Sequence, residues 1–142
     1  MVVRYAPLPK NIESLLPDAF GLLRADPDIV FAYLFGGLAR GKPTPLSDVD
    51  IAVYLREQAS CSNKKLELVV ALTSALKTDE IDLVILNRAP LTLRMKILQN
   101  KRVVVDKMPF LRHRLESQTM REFFDFSVKE KAILRRRFLN GR

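Results

Sequence analysis

An uninterrupted apolar run from Ile29 to Phe35 constrains the fold more than any other feature of this chain. The run is rich in β-branched and aromatic residues, follows an Asp-Pro-Asp turn signal and ends at a Gly-Gly pair. Such a short run between turn signals is typical of a buried strand. The run therefore predicts a strand inside a sheet that has helices packed on it.

The segments around this run alternate between helical and strand patterns. Apolar residues recur at helical spacing over residues 8–25, where Pro17 allows either one kinked helix or two short pieces. The other predicted elements are a strand at Val49–Leu55, a helix at 62–77, a strand at 80–86, a helix at Leu91–Gln99, a strand at 103–105 and a long helix opened by Pro109. This order predicts an α/β (α+β) fold with a small mixed sheet. We expect one domain over residues 1–142, with its core at about 10–105 and a C-terminal helical segment at about 109–140.

Two of the predicted helices have apolar faces that we expect to be buried. In the helix at 62–77 the face consists of Leu66, Val69, Val70, Thr73 and Leu76. In the last helix the face consists of Phe110, Leu111, Leu115, Phe123, Phe124, Val128, Ile133, Leu134 and Phe138. This second face suits packing on the sheet or on another subunit.

The composition excludes several classes of protein and of chemistry. Apolar residues make up 48% and charged residues 28%, as in soluble globular proteins, and no run approaches the roughly 18–20 apolar residues of a membrane span. No secretory signal is visible, and Cys61 is alone, so a reducing cytoplasm is the expected setting. One cysteine and one histidine, His113, cannot form a Cys/His zinc site and argue against Cys-His or Ser-His catalysis. Any transfer chemistry must use carboxylates, hydroxyls and bound metal.

The positive charge is concentrated at the C-terminal end. Residues 107–142 carry ten Lys/Arg and four Asp/Glu, which is +6 of the total net charge of +8. A basic segment can bind nucleic acid, face an acidic partner or form a solvated helix. Because its basic residues are interleaved with apolar ones, we favour a solvated or partner-facing helix over nucleic acid.

Glycines and cations follow the first strand. Gly36 and Gly37 let the backbone approach another group closely and point amides into a concave turn, which suits phosphate. Arg40 and Lys42 place positive charge near the same turn. A Gly-Gly pair after a strand is also common in ordinary turns.

Asp48 and Asp50 stand two residues apart at the head of the second strand. Residues at this spacing share one face of a strand, with Cα atoms roughly 6.5–7 Å apart. Two carboxylates so placed repel each other unless a cation lies between them, and hard oxygen ligands favour Mg²⁺ or Mn²⁺. Asp82, inside the third strand, adds another carboxylate that should carry a desolvation cost unless it is paired or metal-bound. Solvated strand ends are the alternative, but together the three aspartates predict a two-metal site.

The chain resembles the polymerase β-like nucleotidyltransferases at this point. Gly36-Gly37, ten residues and then Asp48-Val49-Asp50 follow that superfamily's Gly-Ser-x(8–12)-Asp-x-Asp signature. The wider stretch, with Ala39-Arg40-Gly41 and Ser47 to Val53, is similar to the minimal nucleotidyltransferase branch. Ile81-Asp82-Leu83-Val84, followed by Asn87-Arg88-Ala89-Pro90 and Leu93, also resembles that branch's third-carboxylate strand and following helix. The likeness covers roughly residues 10–105.

This resemblance implies the roles of the site residues. Asp48 and Asp50 would bind two Mg²⁺ ions, and Asp82 would contact the catalytic ion and the acceptor hydroxyl. The nucleoside triphosphate, ATP by family expectation, would be bound by four residues: Gly36, Gly37, Arg40 and Ser47. The chain departs from the signature at Gly37, which replaces the motif serine and lacks a hydroxyl for a phosphate oxygen. Losing one such hydrogen bond costs about 1.5–3 kcal/mol.

Minimal family members of this kind are typically encoded beside a HEPN-type ribonuclease toxin and transfer AMP to a tyrosine of that toxin. The resemblance thus implies an adenylylating antitoxin, with the basic C-terminal helix as the partner contact. The toxin's own Arg-x4-His motif is absent from this chain, and we expect His113 to be an exposed helix residue. Two alternatives stay open. The chain could be a small-molecule nucleotidyltransferase completed as a homodimer, or a catalytically weak nucleotide-binding antitoxin that acts by contact.

Overall fold

The computed structural model describes residues 9, 11–41, 48–57, 59 and 61–140. In chain order they form α1 (Ile12–Ala25), β1 (Ile29–Phe35), α2 (Gly36–Ala39), β2 (Val49–Leu55), α3 (Cys61–Leu76), β3 (Ile81–Ile85), a 3-10 turn (Leu86–Arg88), α4 (Leu91–Gln99), β4 (Arg102–Asp106) and α5 (Pro109–Arg135), which continues into a π-helical turn (Arg136–Asn140). This order confirms the predicted fold class. None of the described helices is long and apolar enough to cross a membrane.

The four strands form one mixed sheet in the order β3-β2-β1-β4. β1 pairs antiparallel with both β2 and β4, whereas β2 and β3 are parallel. All seven residues of β1 are buried, as the apolar run from Ile29 to Phe35 predicts. The reason is the position of β1, which has a strand on each side and helices on both faces.

Each face of the sheet has its own core. On one face α1 and α3 pack through residues such as Leu16, Leu23 and Leu72. On the other face α4 and the start of α5 cover a cluster that includes Phe31, Tyr33 and Ile97, with Tyr33 and Ile97 inaccessible to solvent. The domain is therefore a sheet between two helical layers.

α1 is one continuous helix that contains Pro17, so the two-piece alternative is wrong. The helix ends at Ala25 because Asp26 adopts an extended backbone, and the Asp28 amide donates a hydrogen bond to Asp26 Oδ1 at 2.9 Å. This local side-chain bond is typical of turns that begin with aspartate.

The buried face of α3 differs from the predicted one. Its buried residues are Lys64, Leu68, Leu72 and Leu76. Of the predicted set only Leu76 is among them, while Leu66 and Val70 are 69% and 63% exposed.

Lys64 explains the error in the α3 face. Its Nζ lies 2.7 Å from Asp26 Oδ2 and 3.0 Å from Asp28 Oδ2, in the turn before β1. Burial lowers the pKa of Lys64, but hydrogen bonds to the two carboxylates outweigh it and the net pKa is raised. A lysine at a core-facing position hides the i, i+4 stripe from a pattern based on apolar residues alone.

The apolar face predicted for α5 is only partly buried. Leu111 and Leu115 pack against the sheet cluster. By contrast, Phe110, Phe124 and Phe138 are 82%, 67% and 76% exposed. Every side chain at residues 128–138 is also exposed. The distal half of α5 therefore does not pack on the sheet, and for this half packing on another subunit stays a prediction.

Polar contacts add to this apolar packing in the first half of α5. The Tyr33 hydroxyl donates to Glu116 Oε2 at 2.7 Å, and Arg112 Nη1 donates to the same oxygen at 3.0 Å. Arg112 Nη2 also lies 3.1 Å from Asp106 Oδ2 on β4. Burial raises the pKa of Glu116, but the hydrogen bonds from Tyr33 and Arg112 outweigh it, so the net pKa is lowered.

Replacing Glu116 by glutamine is expected to lower the free energy of unfolding by about 2 kcal/mol at pH 7, because it removes charge-assisted hydrogen bonds from a residue that is 7% exposed. The folded-state pKa of Glu116 is below its ordinary value of 4.5. Its contribution is therefore present above pH 4.5 and is lost as the pH falls through the folded-state pKa. Urea unfolding at several pH values should show that the difference in free energy of unfolding between parent and variant disappears in acid. The exposed Glu130→Gln is the control, and a difference independent of pH would contradict this role.

Candidate active site

The three predicted aspartates lie at the start of two neighbouring strands. Asp48 directly precedes β2, and Asp50 and Asp82 are the second residues of β2 and β3. The parallel register pairs Asp50 with Asp82. Paired residues of adjacent strands project from the same face of a sheet, so these two carboxylates share a face. This is the face that carries Ala52 and the cluster around Tyr33.

Asp82 is not buried, contrary to the prediction. β3 lies at the edge of the sheet, and Asp82 is exposed while Leu83 and Ile85 are buried. An exposed carboxylate carries no desolvation cost, so the argument that Asp82 must be paired or metal-bound is wrong. Its position beside Asp50 in the register is what connects it to the other aspartates.

The backbone at Gly36 lies very close to the side chain of Asp50. The β1–β2 register pairs Phe35 with Asp50, which places Gly36 against the Asp50 side chain. A Cβ on Gly36 would stand 2.1 Å from Asp50 Oδ2, and Gly36 has φ +75. Both the left-handed backbone and the contact require glycine. The sequence predicts a close backbone approach here, and the structure identifies the carboxylate of Asp50 as the neighbouring group.

The other predicted nucleotide-binding residues lie around α2. Gly37 belongs to this one-turn helix, and Arg40 follows it as an exposed residue whose amide donates to Gly36 O at 3.2 Å. Gly41, with φ +71, ends the turn. Ser47 and Lys42 lie outside the described residues. The nucleotide-binding roles of all of these residues stay predictions.

An open cavity of about 400 Å³ lies beside Asp82. It runs along residues 82–85 of β3, between the start of α3 and the start of α4. Lys65 and Arg88 line it, and both are exposed. The sequence indicates no such cavity, because its walls come from three separate segments.

Asn87 is a positioning residue that the sequence pattern alone does not reveal. Its Oδ1 accepts from the Leu55 amide and its Nδ2 donates to the Leu55 carbonyl, both at 2.8 Å. This paired contact fastens the 3-10 turn to the end of β2 and so positions Arg88 at the mouth of the cavity. Asn87 belongs to the stretch that resembles the family, but that resemblance does not indicate its contact with Leu55.

The donor chemistry of the site fits a hard divalent cation. Carboxylate oxygens are the ligands that Mg²⁺ and Mn²⁺ prefer, and the aspartates of β2 and β3 supply them. Among the described residues, however, no three acidic, histidine or cysteine side chains are grouped as one metal-binding cluster. The three-carboxylate ligand set therefore stays a prediction.

Two titratable groups outside the candidate site, Tyr33 and Asp28, have shifted pKa values. Burial and the hydrogen bond to Glu116 raise the pKa of Tyr33 well above its usual range. Hydrogen bonds from Lys64 and Arg56 lower the pKa of Asp28. These groups belong to ion-pair networks that join helices to the sheet. His113 is exposed on α5, as expected.

Comparison with known families identifies the family to which most of the chain is similar. The profile of the family described as Polymerase beta, Nucleotidyltransferase matches residues 21–109. The match includes Gly36, Asp50 and Asp82, and it ends at the first residue of α5. No curated protein sequence is significantly similar to the chain.

Several solved structures share the fold. A substitution variant of the MntA–HpeT toxin–antitoxin complex is 26% identical, with a TM-score of 0.65 and coverage of 89% of this chain and 95% of the other. A toxin–antitoxin complex with AMP-PNP is 25% identical, with a TM-score of 0.65 and coverage of 87% and 92%. A chain from the structure of the tri-AMPylated Shewanella oneidensis HEPN toxin in complex with MNT antitoxin is 23% identical to this chain. Its TM-score is 0.60, and the alignment covers 87% of this chain and 90% of the other.

Proposed function

The chain belongs to the polymerase β nucleotidyltransferase family, and on this basis we propose that it transfers AMP from ATP to a tyrosine hydroxyl of a HEPN-type ribonuclease partner. The observation that carries the proposal is the register of Asp50 with Asp82, together with the contact of Gly36 with Asp50. Two similar structures support this choice of substrates, since one contains AMP-PNP and another contains an AMPylated HEPN toxin.

Each site residue has a distinct task in this proposal. Asp48 and Asp50 would hold two Mg²⁺ ions, for which Mn²⁺ is the alternative. When bound, these ions neutralise charge on the triphosphate. Gly36, Gly37, Arg40 and Ser47 would bind the phosphates through backbone amides, positive charge and a hydroxyl. Asp82 would accept a hydrogen bond from the acceptor hydroxyl and orient its oxygen.

The reaction exchanges one phosphorus–oxygen bond for another. The acceptor oxygen forms a bond to the α-phosphorus of ATP, the bond from that phosphorus to pyrophosphate breaks, and the hydroxyl proton leaves to Asp82 or solvent. Because Asp82 is exposed at the sheet edge, a large acceptor such as a protein can reach it.

Labelled ATP tests the function directly. The purified chain, the partner protein and ATP labelled at the α-phosphate should give labelled partner in Mg²⁺ and none in EDTA. If no label is transferred, and Asp48→Ala still neutralises the partner, the protein acts by contact and the enzymatic proposal is wrong. A small molecule that takes the label in place of the protein would favour the second candidate, a dimeric small-molecule enzyme.

Gly37→Ser is expected to bind ATP more tightly or to react faster, by about tenfold. The serine hydroxyl can donate to a phosphate oxygen, and a hydrogen bond to a charged group contributes about 1.5–3 kcal/mol. Gly37 lies in the helical backbone of α2, which serine adopts readily. Isothermal titration with ATP and Mg²⁺ checks the affinity. Equal or weaker binding would show that Gly37 is no defect in this protein.

The distal half of α5 is the proposed partner contact. It presents Phe124 and Phe138, which are 67% and 76% exposed, within the basic C-terminal segment, and this combination fits an acidic partner with an apolar groove. Phe124→Glu is expected to weaken the complex at least tenfold without changing the melting temperature, because this half does not pack on the sheet. Phe110→Glu, at the other end of α5, is the matched control. Equal affinity of the two variants would place the contact elsewhere, and sedimentation would show whether α5 joins two copies instead.

A further inference from the structure

The outer edge of β3 offers main-chain hydrogen-bonding groups that no described strand uses. The sheet order makes β3 an edge strand. The Val49 amide donates to Glu80 O, so the even-numbered residues of β3 direct their main-chain groups toward β2. Alternate residues point the other way. The amides of Ile81, Leu83 and Ile85 and the carbonyls of Ile81 and Leu83 therefore face outward, as a template for another strand.

The cavity beside Asp82 follows this same edge. It is lined by four consecutive strand residues, 82–85, by Cys61, Ser62 and Lys65 on one side, and by Arg88 and Leu93 on the other. A cavity that borders consecutive residues of an edge strand has the shape of a groove for an extended chain. Its position beside β3 brings such a chain into reach of the outward main-chain groups.

The lining chemistry favours a peptide over a nucleobase. No aromatic side chain is among the described residues that line the cavity, so none is available to stack on a base. Val84 and Leu93 supply apolar lining. The exposed cations Lys65 and Arg88 outnumber the one lining carboxylate, Asp82. An acidic segment with apolar side chains complements this surface.

We propose that an acidic, extended segment of the acceptor protein binds as an additional strand along the outer edge of β3, with its hydroxyl-bearing residue beside Asp82. This inference rests on the proposed function and specifies how the acceptor is recognised. Strand addition derives affinity from main-chain hydrogen bonds and selectivity from side-chain pockets. The five residues of β3 accommodate a segment of about five residues, since each strand residue spans about 3.3 Å.

Cys61 provides the readout, because it is the only cysteine and it lines the groove. The probe is the acetylated and amidated peptide Glu-Val-Tyr-Val-Glu, compared with Lys-Val-Tyr-Val-Lys. Only the acidic peptide should slow alkylation of Cys61, at least fivefold. Arg88→Glu should weaken its binding at least tenfold, whereas Arg121→Glu, an exposed arginine on α5, should leave it unchanged. Failure of the acidic peptide to bind, or equal binding of both peptides, would overturn the inference.

Backbone methylation separates strand addition from mere charge attraction. One acidic peptide is N-methylated on both valines, and another on the tyrosine and the second glutamate. Strand addition requires that one pattern abolishes binding and the other preserves it, because alternate amides face β3. Equal binding of both methylated peptides would refute the edge-pairing geometry.

These measurements need neither nucleotide nor partner, so their failure is distinguishable from failure of the transfer reaction. Peptide binding without any label transfer to the partner would support the groove and reject the proposed function. If the Arg88→Glu variant does not bind the acidic peptide but still transfers label at the parent rate, the result supports the proposed function. The same result rejects the groove as the place where the acceptor binds.

Discussion

Asp50→Asn is expected to lower AMP transfer at least about a thousandfold while the protein stays folded. Asp50 is paired in register with Asp82 and touches the backbone at Gly36, so it stands where the proposed metal, triphosphate and acceptor converge. Asparagine keeps the side-chain volume but removes a negative charge. Metal-assisted charge stabilisation contributes several kcal/mol, and about 4 kcal/mol corresponds to a thousandfold in rate. Label transfer to the partner measures the rate, and circular dichroism measures folding.

Two companion variants define what the Asp50 result means. Asp79→Asn removes an exposed carboxylate just before β3 and should retain full activity. Asp82→Asn should slow transfer but keep Mg²⁺-dependent ATP binding, since Asp82 is proposed to orient the acceptor. Asp50→Asn should lose both. If Asp50→Asn transfers label within tenfold of the parent, the carboxylate role assigned to Asp50 is wrong.

Gly36→Ala is expected to destabilise the protein and to remove most of its activity. A left-handed backbone costs a non-glycine residue about 1–2 kcal/mol. The added Cβ would also stand 2.1 Å from Asp50 Oδ2, so the Asp50 carboxylate must move. Because a small displacement of a catalytic group can lower the rate about a hundredfold, we expect a loss of activity at least that large. Urea unfolding and label transfer on the same preparation measure the two effects.

Gly41→Ala is the matched control for Gly36→Ala. Gly41 has φ +71, close to the value at Gly36, but a Cβ there meets no atom of the described residues within 4 Å. Gly41→Ala should therefore carry the backbone cost without displacing Asp50. Gly21 lies in the middle of α1, where a Cβ has free space among the described residues. Because glycine is less favourable than alanine inside a helix, Gly21→Ala should stabilise the protein by about 0.5–1 kcal/mol. If the Gly36 and Gly41 variants lose activity equally, the contact with Asp50 does not matter for the reaction.

The strands could be predicted closely because their patterns are local. The predicted bounds of Ile29–Phe35 and Val49–Leu55 are those of β1 and β2, and Leu91–Gln99 is α4. These segments are bounded by turn residues and have uniform apolar or helical spacing. The strand predicted at 80–86 is shorter in the structure, Ile81–Ile85, because the chain turns into a 3-10 helix held by Asn87 on Leu55.

The wrong predictions concern which surfaces are covered, and they share one cause. Lys64 is buried because two aspartates in a distant turn bind it. Asp82 is exposed because β3 is an edge strand, which depends on the order of strands in the sheet. Phe124 is exposed because the contacts that attach α5 to the sheet, such as those of Leu115 and Glu116, lie in the first half of the helix. Pairings between residues far apart in the chain have no signature in local periodicity.

The sequence by itself determined the order of helices and strands and the family likeness, because these depend on spacing along the chain. It also placed Asp48 and Asp50 at the head of the second strand and Asp82 inside the third. The tertiary structure alone decided that Asp50 is paired with Asp82, that Gly36 closes on Asp50 and that a cationic groove follows the outer edge of β3. The physical reason is that strand register and sheet order result from the packing of the whole core. They bring together residues 36, 50 and 82 by contacts that no single segment contains.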